Sequence, residues 1–195
     1  MLSPKKSLNI LKKTNALLEG HFVLSSGLHS SKYIQCAKLL SYPHLAEKIC
    51  KSLALKIKKK FKKIDLILAP AMGGIIIGYE IGKILKKETI FCERVNGKFK
   101  LRRGFKIKNG SKVLIIEDVI TTGKSSLECV KLINSAKARL VGFASIIDRS
   151  TKKSLKIKKK IISHLKIKVP TYRKSQLPKD LASVKITTPG SRYIK

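Results

Sequence analysis

Two patterns of apolar residues recur along the chain: unbroken runs, and stripes in which apolar residues are spaced three or four positions apart. Unbroken runs predict strands that are buried on both faces, and spaced stripes predict helices. Because the two kinds of segment alternate, we predict an α/β fold with a central, mainly parallel sheet flanked by helices. The predicted buried strands are Asp65–Ala69, Thr89–Cys92, Val113–Ile116 and Leu140–Ile147.

Proline and glycine residues mark where the remaining elements begin and end. Ser3 and Pro4 form a typical helix start, and Gly20 is predicted to end that helix. Glycines at 74, 78 and 82 lie on one face of a later helix and predict close approach by a neighbouring backbone. The other predicted features are a helix from Pro43, a helix through Leu85, a helix from about Lys124 to Ser135, a hairpin turn at Asn96-Gly97, and short strands at Phe22–Leu24 and Lys32–Cys36.

Length and composition favour a single globular domain. The chain has 195 residues, of which 43% are hydrophobic, and a chain of this size buries about 70% of its unfolded surface. No apolar run reaches the roughly 18–20 residues needed to span a bilayer, and the N-terminus lacks the features of a secretory signal. The four cysteines are scattered without a Cys-x-x-Cys pair, which predicts reduced thiols and a cytoplasmic location.

The net charge of +33 raises the possibility of a nucleic-acid partner. The lysines concentrate in runs at 56–63 and 152–160, where apolar residues interrupt the charge, and we predict solvated helix ends and loops there. Aromatic residues make up only 6% of the chain and tryptophan is absent, so few side chains could stack on bases. These features favour weak, non-specific RNA binding at low salt over a specific nucleic-acid function.

The stretch Val113–Ser125 joins a predicted strand to ligand-binding chemistry. Its apolar run leads into Glu117 and Asp118, and the turn Thr121–Ser125 follows. Ligands of open α/β sheets bind where strands end, and this turn offers backbone N–H groups, hydroxyls and a helix N-terminus to a phosphate. Two carboxylates would repel that phosphate unless sugar hydroxyls or a divalent cation lay beside them. We therefore predict a phosphorylated sugar as ligand, in preference to a simple helix cap.

This stretch resembles the signature of the type I phosphoribosyltransferases, which bind 5-phosphoribosyl-1-diphosphate. Other segments are similar, in the same order, to those members of the family that act on orotate. They are the hood segment 17–33, the diphosphate loop 69–75, the basic loop 91–104, the strand end 147–150 and the tail Thr188–Arg192. The resemblance implies a type I phosphoribosyltransferase fold with a small hood subdomain, made from about residues 1–40 and the C-terminal tail, and a mobile loop at about 93–105.

The resemblance also implies an activity. Ribose 5-phosphate would be transferred from 5-phosphoribosyl-1-diphosphate to orotate, giving orotidine 5′-monophosphate and diphosphate in pyrimidine biosynthesis. Mg²⁺ would accompany the donor and be held mainly through the substrate, without a dedicated set of protein ligands. The family's loop commonly reaches into a neighbouring subunit, so a homodimer is implied.

Residue roles follow from the same resemblance. Glu117 and Asp118 would hold the ribose hydroxyls and stabilise positive charge on the ring. Lys98 would stabilise the departing diphosphate from the partner subunit, and Thr121 and Arg149 would bind orotate, Arg149 through its carboxylate. The remaining donor-binding residues would be Val119, Ile120, Thr121, Thr122, Gly123, Lys124, Ser125, Arg94 and Lys100.

Two alternatives remain open at this point: a phosphoribosyltransferase for a purine base, and a nucleic-acid-binding regulator built on the same fold. Arg149 at the end of a predicted strand argues against the purine reading, since a carboxylated base needs a cation and a purine does not. Ser25, Met72 and Gly73 stand where some orotate enzymes carry lysine or tyrosine. His29 is predicted to be a polar surface residue.

Overall fold

The computed structural model describes residues 1–24, 26–151, 154–159 and 161–187. Ser25 and the tail Thr188–Arg192, both discussed above, lie outside these ranges. The helices are α1 (Pro4–Lys13), α2 (Cys36–Leu40), α3 (Pro43–Lys60), α4 (Gly73–Leu85), α5 (Lys124–Ser135) and α6 (Lys179–Ala182). The strands are β1 (Leu17–Val23), β2 (His29–Ile34), β3 (Leu66–Pro70), β4 (Glu88–Val95), β5 (Lys98–Leu101), β6 (Lys112–Ile120), β7 (Arg139–Asp148), β8 (Ile161–Lys166), β9 (Thr171–Tyr172) and β10 (Ile186–Thr187).

A six-stranded sheet forms the centre of the molecule, in the order β5-β4-β3-β6-β7-β8. Neighbouring strands from β4 to β8 are parallel, whereas β5 is antiparallel to β4. The β4–β5 hairpin turns at Asn96 and Gly97, whose φ angles are 50° and 75°. Positive φ at both positions is what a tight two-residue hairpin requires. The predicted mainly parallel sheet and its hairpin are therefore confirmed.

Helices cover both faces of this sheet, because alternate residues of each buried strand face opposite sides. On one face, Leu114 and Ile116 of β6 join an apolar cluster with α1, α3 and α4. On the other face, Val113 and Ile115 join a cluster with α5. The glycine stripe of α4 has the predicted effect, since a Cβ at Gly78 would lie 2.8 Å from the Ala69 Cβ. Helix α4 thus packs directly on β3.

A second, four-stranded sheet has the order β10-β1-β2-β9 and joins both ends of the described chain. We call this sheet the hood; the assignment of residues 1–40 and the tail to a separate subdomain stays a prediction. His21 and His29 are buried within it, with the His21 Nε2 and His29 Nδ1 atoms 2.7 Å apart. His21 Nδ1 also lies 3.1 Å from the carbonyl oxygen of Val184. The prediction that His29 is a surface residue was wrong.

Three boundaries also differ from the predictions. Helix α1 ends at Lys13 and not at Gly20, because Asn15 adopts a φ of 54° and the chain then enters β1. The short helix α2 begins at Cys36, where a strand was expected to end. Strand β8 follows the second lysine run and was not predicted. None of the helices in the described ranges is long and apolar enough to cross a bilayer.

The first lysine run has a mixed outcome. Lys58, Lys59 and Lys60 are exposed in the last turn of α3, as predicted for a solvated helix end. Lys56 differs, because its Nζ atom donates hydrogen bonds to the carbonyl oxygens of Ser163 and His164, at 3.0 and 2.8 Å. This side chain ties α3 to β8, and part of the run is therefore structural.

Candidate active site

The acidic pair lies within β6, since the strand continues through both acids to Ile120. Consecutive residues of a strand point to opposite faces. Glu117 accordingly points towards α5, where the Ser126 hydroxyl donates a hydrogen bond to its Oε1 atom. Asp118 points towards the start of α4, where a Cβ built on Gly73 would lie 2.7 to 2.8 Å from its carboxylate atoms. The two acids therefore approach the end of the sheet from its two faces.

Both carboxyl groups are in surroundings that disfavour charge. Burial raises the pKa of Glu117 to about 7, although the Ser126 hydroxyl acts in the opposite direction. Burial also raises the pKa of Asp118, against the hydrogen bond that the Val119 N–H donates to Oδ1 at 2.9 Å. Partners that donate hydrogen bonds or carry positive charge would restore ionisation of both acids. Such a pair suits a polyhydroxylated ligand accompanied by a cation.

The turn after β6 is an open anion-binding site. Gly123 has a φ of 74° and precedes α5, whose N-terminus has no side-chain cap. The first backbone N–H groups of a helix lack intrahelical partners, and the helix dipole favours negative charge at this end. A cavity of about 140 Å³ opens here. Its lining consists of Glu117 together with Val119, Ile120, Thr121, Thr122, Gly123, Lys124 and Ser125.

This cavity brings together one of the two predicted acids, Glu117, and every predicted residue of the phosphate-binding turn, whereas Asp118 is not part of its lining. Thr122 and Lys124 are exposed at its mouth. Gly123 is required by packing as well as by its φ, because a Cβ there would lie 2.5 Å from the Ile157 side chain. The Lys156 N–H also donates to the Thr122 carbonyl oxygen at 3.0 Å. The segment after β7 thus packs against the phosphate-binding turn, through Ile157, and hydrogen-bonds to it, through Lys156.

Arg149 stands beside this turn, at the end of β7. Its backbone N–H donates to the Ile120 carbonyl oxygen at 2.9 Å, which places it next to Thr121. Burial lowers the pKa of its guanidinium group, and its Nε atom is buried without a hydrogen-bond partner among the described residues. A buried guanidinium donor without a partner is costly. An anionic group of a ligand would satisfy it, as predicted for orotate.

The predicted loop residues occupy a different part of the molecule. Arg94 lies over the Phe99 ring, and its Nη1 atom donates to the Gly97 carbonyl oxygen at 2.6 Å and lies 2.8 Å from Glu128 Oε2 on α5. Lys98 and Lys100 are exposed on β5, on the face opposite Phe99. The structure therefore does not bring Lys98 and Lys100 into the cavity, and it engages Arg94 with α5. The mobility of this segment stays a prediction.

One residue of the site, Ser126, was missed by the sequence analysis. It follows the predicted phosphate turn directly, and an inward-facing position in the first helical turn was the available signal. Gly73 stands where some family members carry a side chain, and its position against Asp118 requires glycine, which agrees with the interpretation of the Gly73-Gly74 pair as a feature of backbone shape. No group of three or more His, Cys, Asp or Glu side chains suited to a metal occurs within the described ranges.

Comparisons with known proteins identify the family of the chain. The model of the phosphoribosyl transferase domain family matches residues 40–176. Orotate phosphoribosyltransferase of Parvibaculum lavamentivorans is 44% identical over 194 residues, covering 99% of this chain and 100% of that protein. The enzyme of the same description from Caldicellulosiruptor saccharolyticus is 45% identical over 188 residues, covering 96% of this chain and 97% of its own.

Solved structures support the fold. The crystal structure of orotate phosphoribosyltransferase from Aeropyrum pernix has a TM-score of 0.69 at 22% identity, covering 82% of this chain and 92% of that one. A crystal structure of adenine phosphoribosyltransferase has a TM-score of 0.64 at 18% identity, covering 80% of this chain and 99% of its own. The predicted type I phosphoribosyltransferase fold is confirmed, and sequence similarity favours the orotate enzymes over the purine alternative.

Proposed function

The chain belongs to the phosphoribosyltransferase family and, within it, to the orotate phosphoribosyltransferases, and we propose how its own residues perform the reaction. Ribose 5-phosphate is transferred from 5-phosphoribosyl-1-diphosphate to orotate. The bond from C1 to the diphosphate oxygen breaks, a bond from C1 to a ring nitrogen of orotate forms, and diphosphate leaves with the bonding electrons. The products are orotidine 5′-monophosphate and diphosphate.

One observation carries this proposal: the cavity after β6 combines a buried acid with a hydroxyl-rich turn at an uncapped helix N-terminus. The 5′-phosphate of the donor binds in the turn, with the N–H groups of α5 and the hydroxyls of Thr122 and Ser125 as donors. Glu117 then faces the ribose, whose hydroxyls donate hydrogen bonds to its carboxylate. A sugar phosphate thus satisfies both halves of the cavity.

The acids also act on the transition state. Loss of diphosphate leaves positive charge on the ribose ring, and fixed negative groups beside the ring stabilise that charge. Glu117 and Asp118 approach from opposite faces of the sheet, Glu117 buried and Asp118 half-buried. Their charge is therefore poorly screened by water, which strengthens its effect on the ring.

The residues present fit a Mg²⁺ ion that arrives with the donor. The donor set is two carboxylates, with no larger cluster of ligands among the described residues. Mg²⁺ is usually held by one or two carboxylates plus substrate phosphates and water. Asp118, next to the uncapped start of α4, would hold it on that side. When bound, the ion neutralises charge on the diphosphate.

Orotate binds between the turn and Arg149. The unpartnered Nε atom of Arg149 provides the donor for the orotate carboxylate, and a guanidinium group can bind a carboxylate through two parallel hydrogen bonds. Thr121 lies beside it, because the Arg149 N–H bonds to the residue that precedes Thr121. A purine base has no carboxylate, and the buried Nε atom of Arg149 would then lack a partner.

Lys98 acts from the partner subunit of a homodimer. Strand β5 is three strands away from β6, a separation of about 14 Å at the usual strand spacing. Lys98 and Lys100 also lie on the face opposite Phe99, which packs in the cluster of α5. Within one chain they point away from the phosphate turn. A second copy of the chain would supply the cation that stabilises the departing diphosphate.

An absorbance assay tests the function directly. The protein is incubated with 5-phosphoribosyl-1-diphosphate, Mg²⁺ and either orotate, uracil, adenine or hypoxanthine. Turnover should occur with orotate, and uracil should be a poor acceptor because it lacks the carboxylate that Arg149 binds. Equal turnover with uracil would contradict the role of Arg149, and turnover confined to a purine would contradict the proposed function.

Mixing two inactive variants tests the shared site. Lys98→Ala and Asp118→Asn chains are each expected to be nearly inactive alone. In a mixed dimer, one site receives an intact loop and an intact acid pair, so activity should approach one quarter of the wild-type rate, since about half of the dimers are mixed and each has one intact site. Mixed dimers of wild type with a Lys98→Ala, Asp118→Asn double variant provide the control. In these dimers neither site combines an intact loop from the partner with an intact acid pair. No recovery in mixed dimers verified by mass spectrometry would show that Lys98 acts within its own chain.

A further inference from the structure

Acidic side chains are scarce in this chain, so their positions are informative. There are 11 Asp and Glu residues against 44 Lys and Arg. Glu128 lies on α5, one helical turn after Lys124, and is half-buried. Its Oε2 atom lies 2.8 Å from Arg94 Nη1 on β4. The helix that carries the phosphate-binding turn is therefore also joined to the β4–β5 hairpin.

Arg94 makes two further contacts, both within the hairpin. Its guanidinium group lies over the Phe99 ring, 4.2 Å from the ring centroid. Its Nη1 atom donates to the Gly97 carbonyl oxygen in the hairpin turn at 2.6 Å. Phe99 itself is buried in the apolar cluster that contains Cys129 of α5. Both strands of the hairpin and its turn are thus connected to α5 around one arginine.

Fixing one face of the hairpin also fixes the opposite face. Arg94 pairs with Phe99 across the antiparallel ladder, and Val95 pairs with Lys98. Paired residues share a face of the hairpin, and successive residues of a strand alternate between faces. Lys98 therefore points away from α5 because Arg94 and Phe99 face it. Lys98 is exposed, and it forms no ion pair within 4.0 Å with an acid of the described ranges.

A second acid keeps the outward face of the hairpin available. Glu93 lies directly across the ladder from Lys100. Its carboxylate oxygens instead lie 2.6 Å from Arg103 Nε and 3.7 Å from Arg102 Nη1. Lys100 has no ion pair in the part of the chain that the structure describes. The acids at the hairpin thus bind its arginines and leave both lysines available to the phosphates of a ligand.

We propose that Glu128 is a positioning residue for phosphoribosyl transfer. By holding Arg94 against α5, it sets the direction in which the hairpin presents Lys98 to the active site of a second subunit. This inference rests on the proposed function, in which Lys98 stabilises the departing diphosphate. Glu128 does not touch the substrate and acts through the position of Lys98. Helix α5 then serves two sites, because its N-terminus binds the phosphate of one and its side orients the lysine of the other.

A double-mutant cycle tests whether Glu128 acts through Lys98. We compare kcat of wild type, Glu128→Gln, Lys98→Ala and the double variant with saturating orotate, donor and Mg²⁺. Glu128→Gln should lower kcat about 3- to 10-fold, the scale of one partly exposed ion pair and the stacking of Arg94 that it supports. In the Lys98→Ala background the same change should alter the residual kcat less than about twofold, because no lysine remains to be positioned. KM for orotate should stay the same. Equal falls in both backgrounds would overturn the proposal.

Mixed dimers locate the effect in one subunit. In the restored site of a mixed dimer, the Asp118→Asn chain supplies Lys98 and the Lys98→Ala chain supplies the acids. Adding Glu128→Gln to the Asp118→Asn chain should lower the recovered activity by the factor seen in the cycle. Adding it to the Lys98→Ala chain should leave the recovered activity unchanged. A fall in the second mixture alone would mean that Glu128 acts on the phosphate turn of its own helix, and no recovery in any mixture would overturn presentation of Lys98 to a second subunit.

Glu47→Gln is the matched control for loss of one acid from an ion pair. Glu47 Oε1 lies 2.9 Å from Lys51 Nζ on α3, which packs on the other face of the central sheet. This variant removes the same charge as Glu128→Gln, and its kcat should equal that of wild type. A fall as large as that of Glu128→Gln would show that the change in net charge is responsible, and the proposal would fail.

Hydrogen exchange gives a readout that does not depend on the reaction. Backbone amides of residues 93–105 should exchange faster in Glu128→Gln than in wild type or Glu47→Gln, because the hairpin is held less firmly. Unchanged exchange would show that Glu128 does not hold the hairpin. Absence of orotate turnover in wild type would contradict the proposed function, whereas an additive cycle in an active enzyme would contradict the role of Glu128 alone.

Discussion

Two strand-to-helix turns meet at the site, and they differ sharply in composition. The β6–α5 turn is rich in hydroxyls and lines the cavity. The β3–α4 turn consists of Ala71 and Met72 and leads into Gly73, the first residue of α4, and the Met72 side chain is 83% exposed. Each turn lies beside one acid, since Glu117 bonds to Ser126 and the Asp118 carboxylate lies against Gly73. The β6–α5 turn provides side chains that can bind a ligand. The β3–α4 turn provides backbone groups and leaves room for the Asp118 carboxylate.

The difference follows from what each acid needs. Glu117 is held by a hydroxyl, so its turn must supply side chains. Asp118 lies where a Cβ would collide with it, so the opposing turn must lack one. The uncapped N-terminus of α4 faces Asp118, and its dipole favours negative charge there. Some family members carry a side chain at the position of Gly73. In this chain the site requires that this side chain be absent.

The largest expected effect comes from removing charge at the meeting point of the two turns. Asp118→Asn keeps the shape of the side chain but loses its charge, and kcat should fall about 10²–10³-fold, the usual scale for one preorganised electrostatic group. Steady-state kinetics with orotate measure the change, and circular dichroism controls for folding. Near-normal turnover would place the reacting ribose away from this acid.

The second prediction concerns Glu117, the acid beside the hydroxyl-rich turn, and the dependence of the free energy of unfolding on pH. The pKa of Glu117 is about 7 in the folded protein against 4.5 for the unperturbed group. The folded state then binds more protons between these values, so stability falls as the pH rises through this range. Glu117→Gln should remove this loss and raise the free energy of unfolding at pH 8 by on the order of 3 kcal/mol in the absence of substrate.

Urea unfolding from pH 4 to pH 8 measures that change. The wild type and Glu117→Gln should differ least at the lowest pH. Glu47→Gln is the control, because the exposed Glu47 has its pKa lowered by the Lys51 hydrogen bond and the effect of its removal has the opposite sign.

 The Lys51 hydrogen bond is the largest influence on the pKa of Glu47, ahead of the charge on Lys51. An equal gain at all pH values in Glu117→Gln would show that Glu117 is not the titrating group.

The third prediction extends the comparison to the strand beside β6. Arg149→Ala removes the guanidinium whose buried Nε atom has no partner among the described residues, next to the hydroxyl-rich turn. The affinity for orotate should fall by about 1.5–3 kcal/mol, the range for a hydrogen bond to a charged group. Calorimetry with orotate and with uracil gives the measurement, and uracil binding should change little. An unaltered orotate affinity would remove Arg149 from the base site.

The smallest expected effect comes from the glycine turn. Gly73→Ala places a methyl group against the Asp118 carboxylate, and the overpacking should cost about 1–3 kcal/mol of stability. KM for the donor should rise as Asp118 is displaced. Met72→Ala is the neighbouring control, since its exposed side chain should be removable with almost no effect. If both variants behaved alike, the close approach of Gly73 would have no functional importance.

Features that depend on neighbouring residues could be predicted from the sequence. The bounds of α5 follow from the turn at Gly123 and the apolar stripe after it, and the structure gives the same bounds, Lys124–Ser135. The hairpin at Asn96 and Gly97 was likewise predictable, because both positions favour positive φ. The acids and the phosphate turn lie in one continuous stretch, which is why their proximity could be foreseen.

Features that depend on distant residues could not be predicted. The contact between Gly73 on α4 and Asp118 on β6 joins two elements that are far apart in sequence, and no local pattern reports it. The same holds for Arg94, whose approach to Glu128 depends on how α5 packs on the hairpin. The end of α1 is a different case. Asn15 signals it, since asparagine adopts the left-handed conformation readily at helix ends, but Leu17 and Leu18 continued the apolar stripe.

The hood has a consequence for how the chain is made. Its order β10-β1-β2-β9 places the two early strands β1 and β2 between β10 and β9, which come from the last part of the described chain. During translation, β1 and β2 can form their hairpin early, but their outer edges wait until residues 171–187 have emerged from the ribosome. Unpaired strand edges are prone to pair with other chains. The β1–β2 hairpin is therefore exposed to pairing with other chains until β9 and β10 have joined it.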